Sequence, residues 1–505
     1  MVREIAAGYW EASHRFCELR CGDVLCVDLF SGLPRRHADR GHFESRRTFG
    51  AGRRMGRQVL SEIAASRFGI TYVMRTVLQN LISVIGGEAA VRTANFAAAL
   101  FIARTFGGFA LGAYAASLAV VTVAVMLADN GLQTFVITEL TSKPAERESI
   151  ISQVYLYKMI LFAVAIALLG AIASSLKLST FLWGVGTWVA ARTILQSYSQ
   201  LQMAILKSLS KANAIGVIQV IHSLFLLAGI GVTLLRHWTI FSLLAWFCVG
   251  QFFEFVFLIL TLLRTGFHPN WPARLHFWES MRKSAPFGIT SGLANLIVRS
   301  DILVLSTLAP LSVLGIFSAP NSMLLIVYVA AWLMGSILLP EMVRLSPDVA
   351  GLKHYVNNCA RLLSFTSVPI AILAWLTAPR CVLLLFGPAF YRSGPLASVM
   401  ALACPFILLN SVYTNCAIAL NKRAVFTGLY AGTAAVAVGL NFLLGRAFGP
   451  EGVAAAIVIR EAGMLAGFCL LMRSKALLAL HANSPVPALG DVRISEKPKL
   501  SSSLV

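Results

Sequence analysis

Apolar residues along this chain come in repeated runs of about 20, separated by short polar segments. Clear examples lie at 110–128, 159–176, 215–235 and 241–263. A helix of about 20 residues rises roughly 30 Å, which is the thickness of the hydrocarbon core of a bilayer. The pattern therefore predicts an all-α, polytopic membrane protein with short loops.

We place about twelve spans on these runs, six in each half of the chain. The predicted domains are an Arg-rich cytosolic tail at 1–76, two six-helix lobes at 77–263 and 284–473, a basic cytosolic linker at 264–283 between them, and a polar cytosolic tail at 474–505. The spans lie near 78–103, 109–130, 152–174, 181–203, 214–235, 239–263, 285–307, 313–340, 356–378, 396–419, 425–445 and 451–472.

Composition agrees with this class, since 57% of residues are hydrophobic and only 13% are charged. A net charge of +20 would suggest a nucleic-acid partner in a soluble chain. In a membrane protein, Lys and Arg instead collect in cytoplasmic loops beside anionic lipids. The basic loops lie on one side of the predicted spans, so we expect both termini to be cytoplasmic, membrane lipids as partners and no nucleic acid.

The tail at 1–76 has many arginines, no lysine and no apolar run long enough for a span or a signal peptide. We predict that it is disordered or weakly helical, with Met55 as an alternative start. Its cysteines Cys17, Cys21 and Cys26 do not have the spacing of a zinc knuckle, and no metal site is predicted.

An internal repeat occurs at the same topological position in both halves. Leu111-Gly112-Ala113-Tyr114-Ala115-Ala116 and Leu314-Gly315-Ile316-Phe317-Ser318-Ala319 both read L-G-x-aromatic-small-Ala where the first span of a half gives way to its second. Two halves of equal orientation would be related by an axis along the membrane normal, an arrangement found in transporters.

Polar residues at helical spacing form three stripes inside the spans. Such residues are costly in lipid, so they normally face the interior of the bundle. Each stripe holds one arginine, whose planar guanidinium suits a phosphate group. We therefore predict one shared cationic cavity. The stripes are Glu88, Arg92 and Asn95; Arg192, Gln196 and Gln200; and Ser291, Asn295 and Arg299.

A structural interpretation stays open for each arginine, with Arg92 paired to Glu88 and Arg299 to an acid on a neighbouring helix. Other polar residues of the spans are candidates for ion coupling or for structural pairing between helices. These candidates are Glu88, Asp301, Asp129, Glu254 and His222. Lys158 is expected to extend to the headgroups.

No nucleotide-binding or catalytic motif occurs, so no enzymatic activity is predicted.

Several segments resemble landmarks of one transporter family in order and spacing. Phe101-Ile102-Ala103-Arg104-Thr105-Phe106-Gly107, Gly112-Ala113-Tyr114 and Asp129-Asn130-Gly131-Leu132 resemble the opening of the polysaccharide transporters of the multidrug/oligosaccharidyl-lipid/polysaccharide (MOP) exporter superfamily. Arg299-Ser300-Asp301, Leu385-Phe386-Gly387 and Phe448-Gly449-Pro450-Glu451-Gly452 resemble later landmarks, and the resemblance covers about 77–473.

This resemblance implies two six-helix lobes in a V, a central cationic cavity and alternating access in a bacterial inner membrane. The implied substrate is an oligosaccharide repeat unit on undecaprenyl pyrophosphate, with Arg92, Arg192 and Arg299 receiving the pyrophosphate or acidic sugars. No cofactor is implied. By analogy a proton or sodium gradient would drive transport, and a polysaccharide polymerase and a chain-length regulator would be partners.

Three alternative functions remain. A multidrug or cation antiporter of the same superfamily would carry acids rather than arginines in its cavity. A lipid II flippase would typically have two further C-terminal spans. A membrane polysaccharide polymerase, from a different class, would typically carry a large periplasmic loop.

Overall fold

The computed structural model describes residues 45–129, 131–142, 146–175, 179–209, 211–237, 239–266, 277–420 and 423–473. It divides into two compact units, Met1–Met74 and Arg75–Val505. Of the first unit only helix from Ser45 onward is described. The remainder of the predicted tail, with its cysteines, and the C-terminal tail lie outside the described residues.

The described ranges contain helices and turns and no strand, as the hydrophobic pattern predicts. A short 3₁₀ turn, Pro388–Phe390, precedes α10. In chain order the helices are α1 (Ser45–Asp129), α2 (Leu132–Ser142), α3 (Arg147–Ser175), α4 (Thr180–Ser208), α5 (Ala212–Arg236), α6 (Ile240–Leu263), α7 (Phe277–Leu308), α8 (Leu311–Leu345), α9 (Val349–Phe386), α10 (Ser393–Ala401), α11 (Cys404–Ala419) and α12 (Arg423–Arg473).

Eight helices of the described ranges are long and apolar enough to cross a membrane, or nine if the bent pair α10 and α11 counts as one span. Two of the eight contain a break. The count of twelve spans stays a prediction. Helix α7 begins at Phe277, so it already includes the end of the segment predicted as a linker.

The breaks in the two long helices occur at glycines with positive φ. Gly107 in α1 has φ 80°, and Gly449 in α12 has φ 63°. A side chain is disfavoured in this region of backbone space, so glycine is the residue that permits the turn. Both positions fall between predicted spans, at 104–108 and 446–450, so the backbone leaves the helical conformation where hydropathy predicts the boundary between two helices.

Polar caps define several helix starts. The side chains of Ser179 and Thr239 accept hydrogen bonds from backbone N–H groups in the first turns of α4 and α6. Asp348 accepts from the amides of Ala350 and Gly351 at the start of α9, at 3.1 Å each. These caps satisfy N–H groups that have no partner within the helix.

Helices α4, α5 and α6 pack together in the N-terminal half, and α7 packs along α12 in the C-terminal half. A buried apolar cluster joins the two halves. It includes Ala94 and Ile102 of α1 together with Ala319, Val382 and Phe386 of the second half. Burial of this shared surface holds the first helix against both sets of helices.

The internal repeat lies where the two halves cross. A Cβ atom on Gly112 would lie 1.9 Å from the backbone oxygen of Leu311, and one on Gly315 would lie 1.8 Å from that of Gly108. Only glycine allows the backbones of α1 and α8 to approach so closely. Nearby, the Arg104 guanidinium donates to the carbonyl oxygens of Leu384 and Leu385 at the end of α9.

Candidate functional site

A cavity of about 930 Å³ opens between the two halves, lined mainly by α1, α2, α4, α7 and α8. It contains all six residues predicted to form a substrate cavity, namely Arg92, Arg192, Arg299, Asn295, Gln196 and Gln200. Helical spacing explains this placement, because residues three or four apart lie on the same face of a helix. Their role in binding a substrate stays a prediction.

Arg192 is held rigidly in the wall of the cavity. Its guanidinium donates to the Tyr114 hydroxyl at 3.2 Å and to the Asn95 side-chain oxygen at 2.5 Å. The guanidinium lies over the Phe247 ring, with 5.2 Å between its central carbon and the ring centroid. Its Nε is buried and has no hydrogen-bond partner among the described residues. Arg192 therefore contributes a fixed positive charge.

Arg92 adopts the pairing that the sequence left open. Its guanidinium lies 2.8 Å from the Glu88 carboxylate one helical turn away. Gln219 of α5 donates to the same carboxylate at 3.3 Å. The Arg92 side chain is 57% exposed. Its charge is therefore compensated by Glu88, and a ligand would have to compete with that pair.

Arg299 is the arginine that is most available to a ligand. It lines the cavity from α7, is half-buried, and has neither a hydrogen bond nor an ion pair to any described residue. The predicted acid on a neighbouring helix is thus not found within the described ranges. Asn295, one turn earlier, donates to the Ser291 carbonyl oxygen at 3.0 Å and also lines the cavity.

The amide stripe of α4 continues the polar wall. Gln133 of α2 donates to the Gln200 side-chain oxygen at 3.0 Å, and Gln196 lies one turn from both Arg192 and Gln200. Primary amides present both donors and acceptors. This part of the cavity can therefore hydrogen-bond hydroxyl groups of a ligand as well as anionic oxygens.

Asp129 is the one carboxylate among the described lining residues, and it is already paired. The Lys158 ammonium lies 2.5 Å from its Oδ1, and the Ser197 hydroxyl lies 2.7 Å from both carboxylate oxygens. Lys158 is fully buried. The expectation that it reaches the headgroups is wrong, because this carboxylate offers a stronger partner within the bundle.

The other coupling or pairing candidates do not line the cavity. His222 Nδ1 lies 3.1 Å from Glu254 Oε2, and both side chains are buried between α5 and α6. Asp301 is buried on the other side of α7 from Arg299, near the fully buried Arg460. Structural pairing is what the geometry shows for these residues, and their part in ion coupling stays a prediction.

Arg460 organises a polar network in the second half. It donates to the carbonyl oxygen of Ile297 at 2.7 Å, to the Tyr328 hydroxyl at 2.8 Å, and lies 3.1 Å from the adjacent Glu461 carboxylate. Asn410 of α11 donates to the same carboxylate at 2.9 Å. The network ties α7, α8, α11 and α12 together behind the cavity.

Comparison with known families decides the affiliation. The family described as "Polysaccharide biosynthesis protein" matches residues 101–395, which is more than half of the chain. The chain belongs to this polysaccharide biosynthesis family. A comparison with curated protein sequences gives no match.

Solved structures with a similar fold come from the MOP superfamily. A lipid II flippase, MurJ, in an inward closed conformation aligns with a TM-score of 0.64 and 15% identity, covering 81% of this chain and 90% of that one. An inward-facing multidrug MATE transporter aligns with a TM-score of 0.63 and 14% identity, covering 80% and 100%. This family member is therefore a multi-pass membrane protein with the MOP exporter fold.

A third similar structure is a MOP superfamily transporter from Pyrococcus furiosus. It aligns with a TM-score of 0.59 and 14% identity, covering 80% of this chain and 96% of that one. Its description reports a binding pocket of reversed polarity and a different function. The charge of the pocket thus varies among proteins that share this fold. In each protein it follows from the residues that line its own cavity.

The polar stripes predicted from the sequence do not include every residue that lines the cavity of this MOP-fold protein. Tyr114, Gln133, Trp188, Asn321 and Trp332 also line the cavity. Tyr114 lies in the internal repeat, which indicates an aromatic residue at this position but does not indicate that its side chain lines the cavity. The tryptophans lie in strongly apolar stretches, where the sequence does not distinguish a cavity-facing ring from a lipid-facing one.

Proposed function

We propose that this protein is a flippase that moves undecaprenyl-pyrophosphate-linked oligosaccharide repeat units across the bacterial cytoplasmic membrane by alternating access. One observation carries the proposal. A large cavity between the halves is lined by Arg192 and Arg299, neither of which forms an ion pair with a carboxylate of the described residues. Two guanidinium groups without an ion-pair partner suit a pyrophosphate group.

The remaining lining fits the rest of such a ligand. Amides from Gln196, Gln200 and Asn295 can bond sugar hydroxyls, and the exposed rings of Trp188 and Trp332 offer flat apolar faces to sugar rings. The polysaccharide biosynthesis family and the MOP fold support the same function.

Transport requires the cavity to open alternately to each side. Rocking of one half against the other about the crossing of α1 and α8 would produce this motion. A proton or sodium gradient is the proposed energy source, and a polymerase and a chain-length regulator are proposed partners on the periplasmic side. The protein would then bind and move its substrate without changing its covalent structure.

Deletion of the gene in its host tests this function, with surface polysaccharide and lipid-linked repeat units as the readouts. A flippase predicts loss of polymer, with complete repeat units retained on the cytoplasmic leaflet. Unpolymerised repeat units on the outer leaflet would instead indicate a polymerase. Intact polymer with altered drug tolerance would contradict the proposal and indicate the antiporter.

A further inference from the structure

A buried ammonium lies directly behind the cavity wall. Lys158 has no exposed surface, yet its Nζ is 2.5 Å from Asp129 Oδ1 and 2.8 Å from the carbonyl oxygen of Ser197. The same Nζ lies 5.6 Å from the Phe162 ring centroid and 5.3 Å from that of Tyr198. These groups together make a pocket that fits an alkylammonium ion, and the chain's own side chain fills it.

The carboxylate of this pocket faces the cavity. Asp129 retains 17% side-chain exposure and belongs to the cavity lining, whereas Lys158 does not reach the cavity. Without Lys158, the cavity would present a carboxylate beside two aromatic rings and a carbonyl oxygen. Those are the groups that attract an organic cation. The lysine therefore masks a cation site.

The charged residues around the cavity show how loss of Lys158 would change its attraction for an anion. Arg92 is compensated by Glu88, and Asp129 is compensated by Lys158. Arg192 and Arg299 form no ion pair with a described carboxylate. Loss of the Lys158 charge would leave Asp129 to oppose one of them, so the attraction of the cavity for an anion would fall.

We propose that Lys158 is a specificity-determining residue, a tethered counter-ion that occupies a cation site at Asp129 and so makes the cavity accept anions and reject cations. Lys158 acts through Asp129 and is a positioning residue that does not itself touch the ligand. The proposal goes beyond the proposed function, because it concerns the charge of the accepted ligand and holds for any anionic ligand.

The test uses purified full-length protein in lipid nanodiscs, with propylammonium and inorganic pyrophosphate as the two probes. Lys158→Ala removes the length of side chain that propylammonium replaces. We expect propylammonium to raise the melting temperature of Lys158→Ala in a saturable manner, since a ligand that binds the folded state stabilises it. Wild type and the double variant Lys158→Ala/Asp129→Asn should show no such shift.

Pyrophosphate provides the opposite readout. Its affinity should fall about tenfold in Lys158→Ala, a change equivalent to about 1.4 kcal/mol, and return in the double variant. Arg344→Ala is the matched control, because it removes one positive charge from an exposed pair with Glu341 outside the cavity. We expect this control to respond to both probes as wild type does.

Asp129→Asn keeps the test decisive if Lys158→Ala does not fold. It removes the carboxylate that the cavity would otherwise present, so pyrophosphate should bind at least as tightly as it does to wild type. Weaker binding in Asp129→Asn would overturn the proposal. The proposal would also be overturned if propylammonium did not raise the melting temperature of folded Lys158→Ala, or if it raised that of the double variant equally.

The role proposed for Lys158 and the proposed flippase function can be refuted independently of each other. Expected responses to both probes, with repeat units still exported normally after gene deletion, would refute the flippase and leave the role of Lys158 intact. Loss of export on deletion, without any response of Lys158→Ala to propylammonium, would refute the role of Lys158 and leave the flippase function intact.

Discussion

The three arginines of the cavity differ in what holds each side chain. Arg92 is paired with Glu88, and Arg192 is fixed by Tyr114, Asn95 and the Phe247 ring. Arg299 has no hydrogen bond or ion pair to a described residue. A ligand anion would gain most from the guanidinium that has no competing contact. The contributions of the three to export should therefore be unequal.

Replacement of Arg299 by Ala should reduce export about tenfold or more, because a hydrogen bond to a charged group is worth about 1.5–3 kcal/mol. Arg299→Lys should fall between wild type and Ala, since an ammonium keeps the charge and loses the bidentate geometry. Surface polysaccharide in a deletion strain that carries each variant measures this.

Arg446→Ala is the control for the Arg299 variants, because Arg446 is exposed and lies outside the cavity lining. Its export should match that of wild type at equal protein levels in the membrane. Normal export from Arg299→Ala would contradict the assignment of this residue to the substrate.

Replacement of the buried Arg460 by Met should destabilise the protein by several kcal/mol, because Glu461 and Asp301 would keep buried charges without their partner. The double variant Arg460→Met/Glu461→Gln should recover part of this loss. Thermal unfolding in detergent measures both, and an unchanged Arg460→Met would show that the network contributes little.

Helical spacing predicted which polar residues share the cavity, because the period of a helix fixes the face of each residue. It did not predict the partners. Lys158 and Asp129 lie on different helices, and no local pattern relates them. No local pattern relates His222 to Glu254 either, although the structure pairs them. Contacts between helices depend on packing, which one sequence does not specify locally.

At the scale of helices, the breaks at Gly107 and Gly449 and the close approach of α1 to α8 at Gly112 and Gly315 determine how α1, α8 and α12 are arranged. Hydropathy predicted interruptions near Gly107 and Gly449, since polar or small residues interrupt the apolar runs there. The backbone is indeed non-helical at both glycines. Hydropathy did not predict that the repeated motifs touch, because close approach of two backbones leaves no signal in the hydrophobic pattern.

Gly112→Val should separate α1 from α8, since a Cβ there meets the Leu311 backbone oxygen at 1.9 Å and backbone cannot move aside cheaply. We expect a lower melting temperature and reduced export. Gly86→Ala is the control, in the part of α1 that precedes Gly107, because a Cβ there meets nothing within 4 Å. Equal behaviour of the two variants would show that close approach at the crossing is unimportant.

At the scale of the whole molecule, the distribution of basic loops predicts its orientation in the membrane. In a variant without native cysteines, Lys211→Cys should react with a membrane-impermeant maleimide only after the membrane is permeabilised. His237→Cys, at the other end of α5, should react in intact cells. Labelling in the reverse order would invert the predicted topology and place the termini outside.

The crossing of α1 and α8 is reciprocal. Gly108 lies four residues before Gly112, as Leu311 does before Gly315, so the contact of Gly112 with Leu311 is the counterpart of the contact of Gly315 with Gly108. Such exchange of equivalent contacts is the hallmark of an isologous dimer interface. Each half thus carries one side of a self-complementary surface, so at this contact the two halves of one chain are related as the two subunits of such a dimer are.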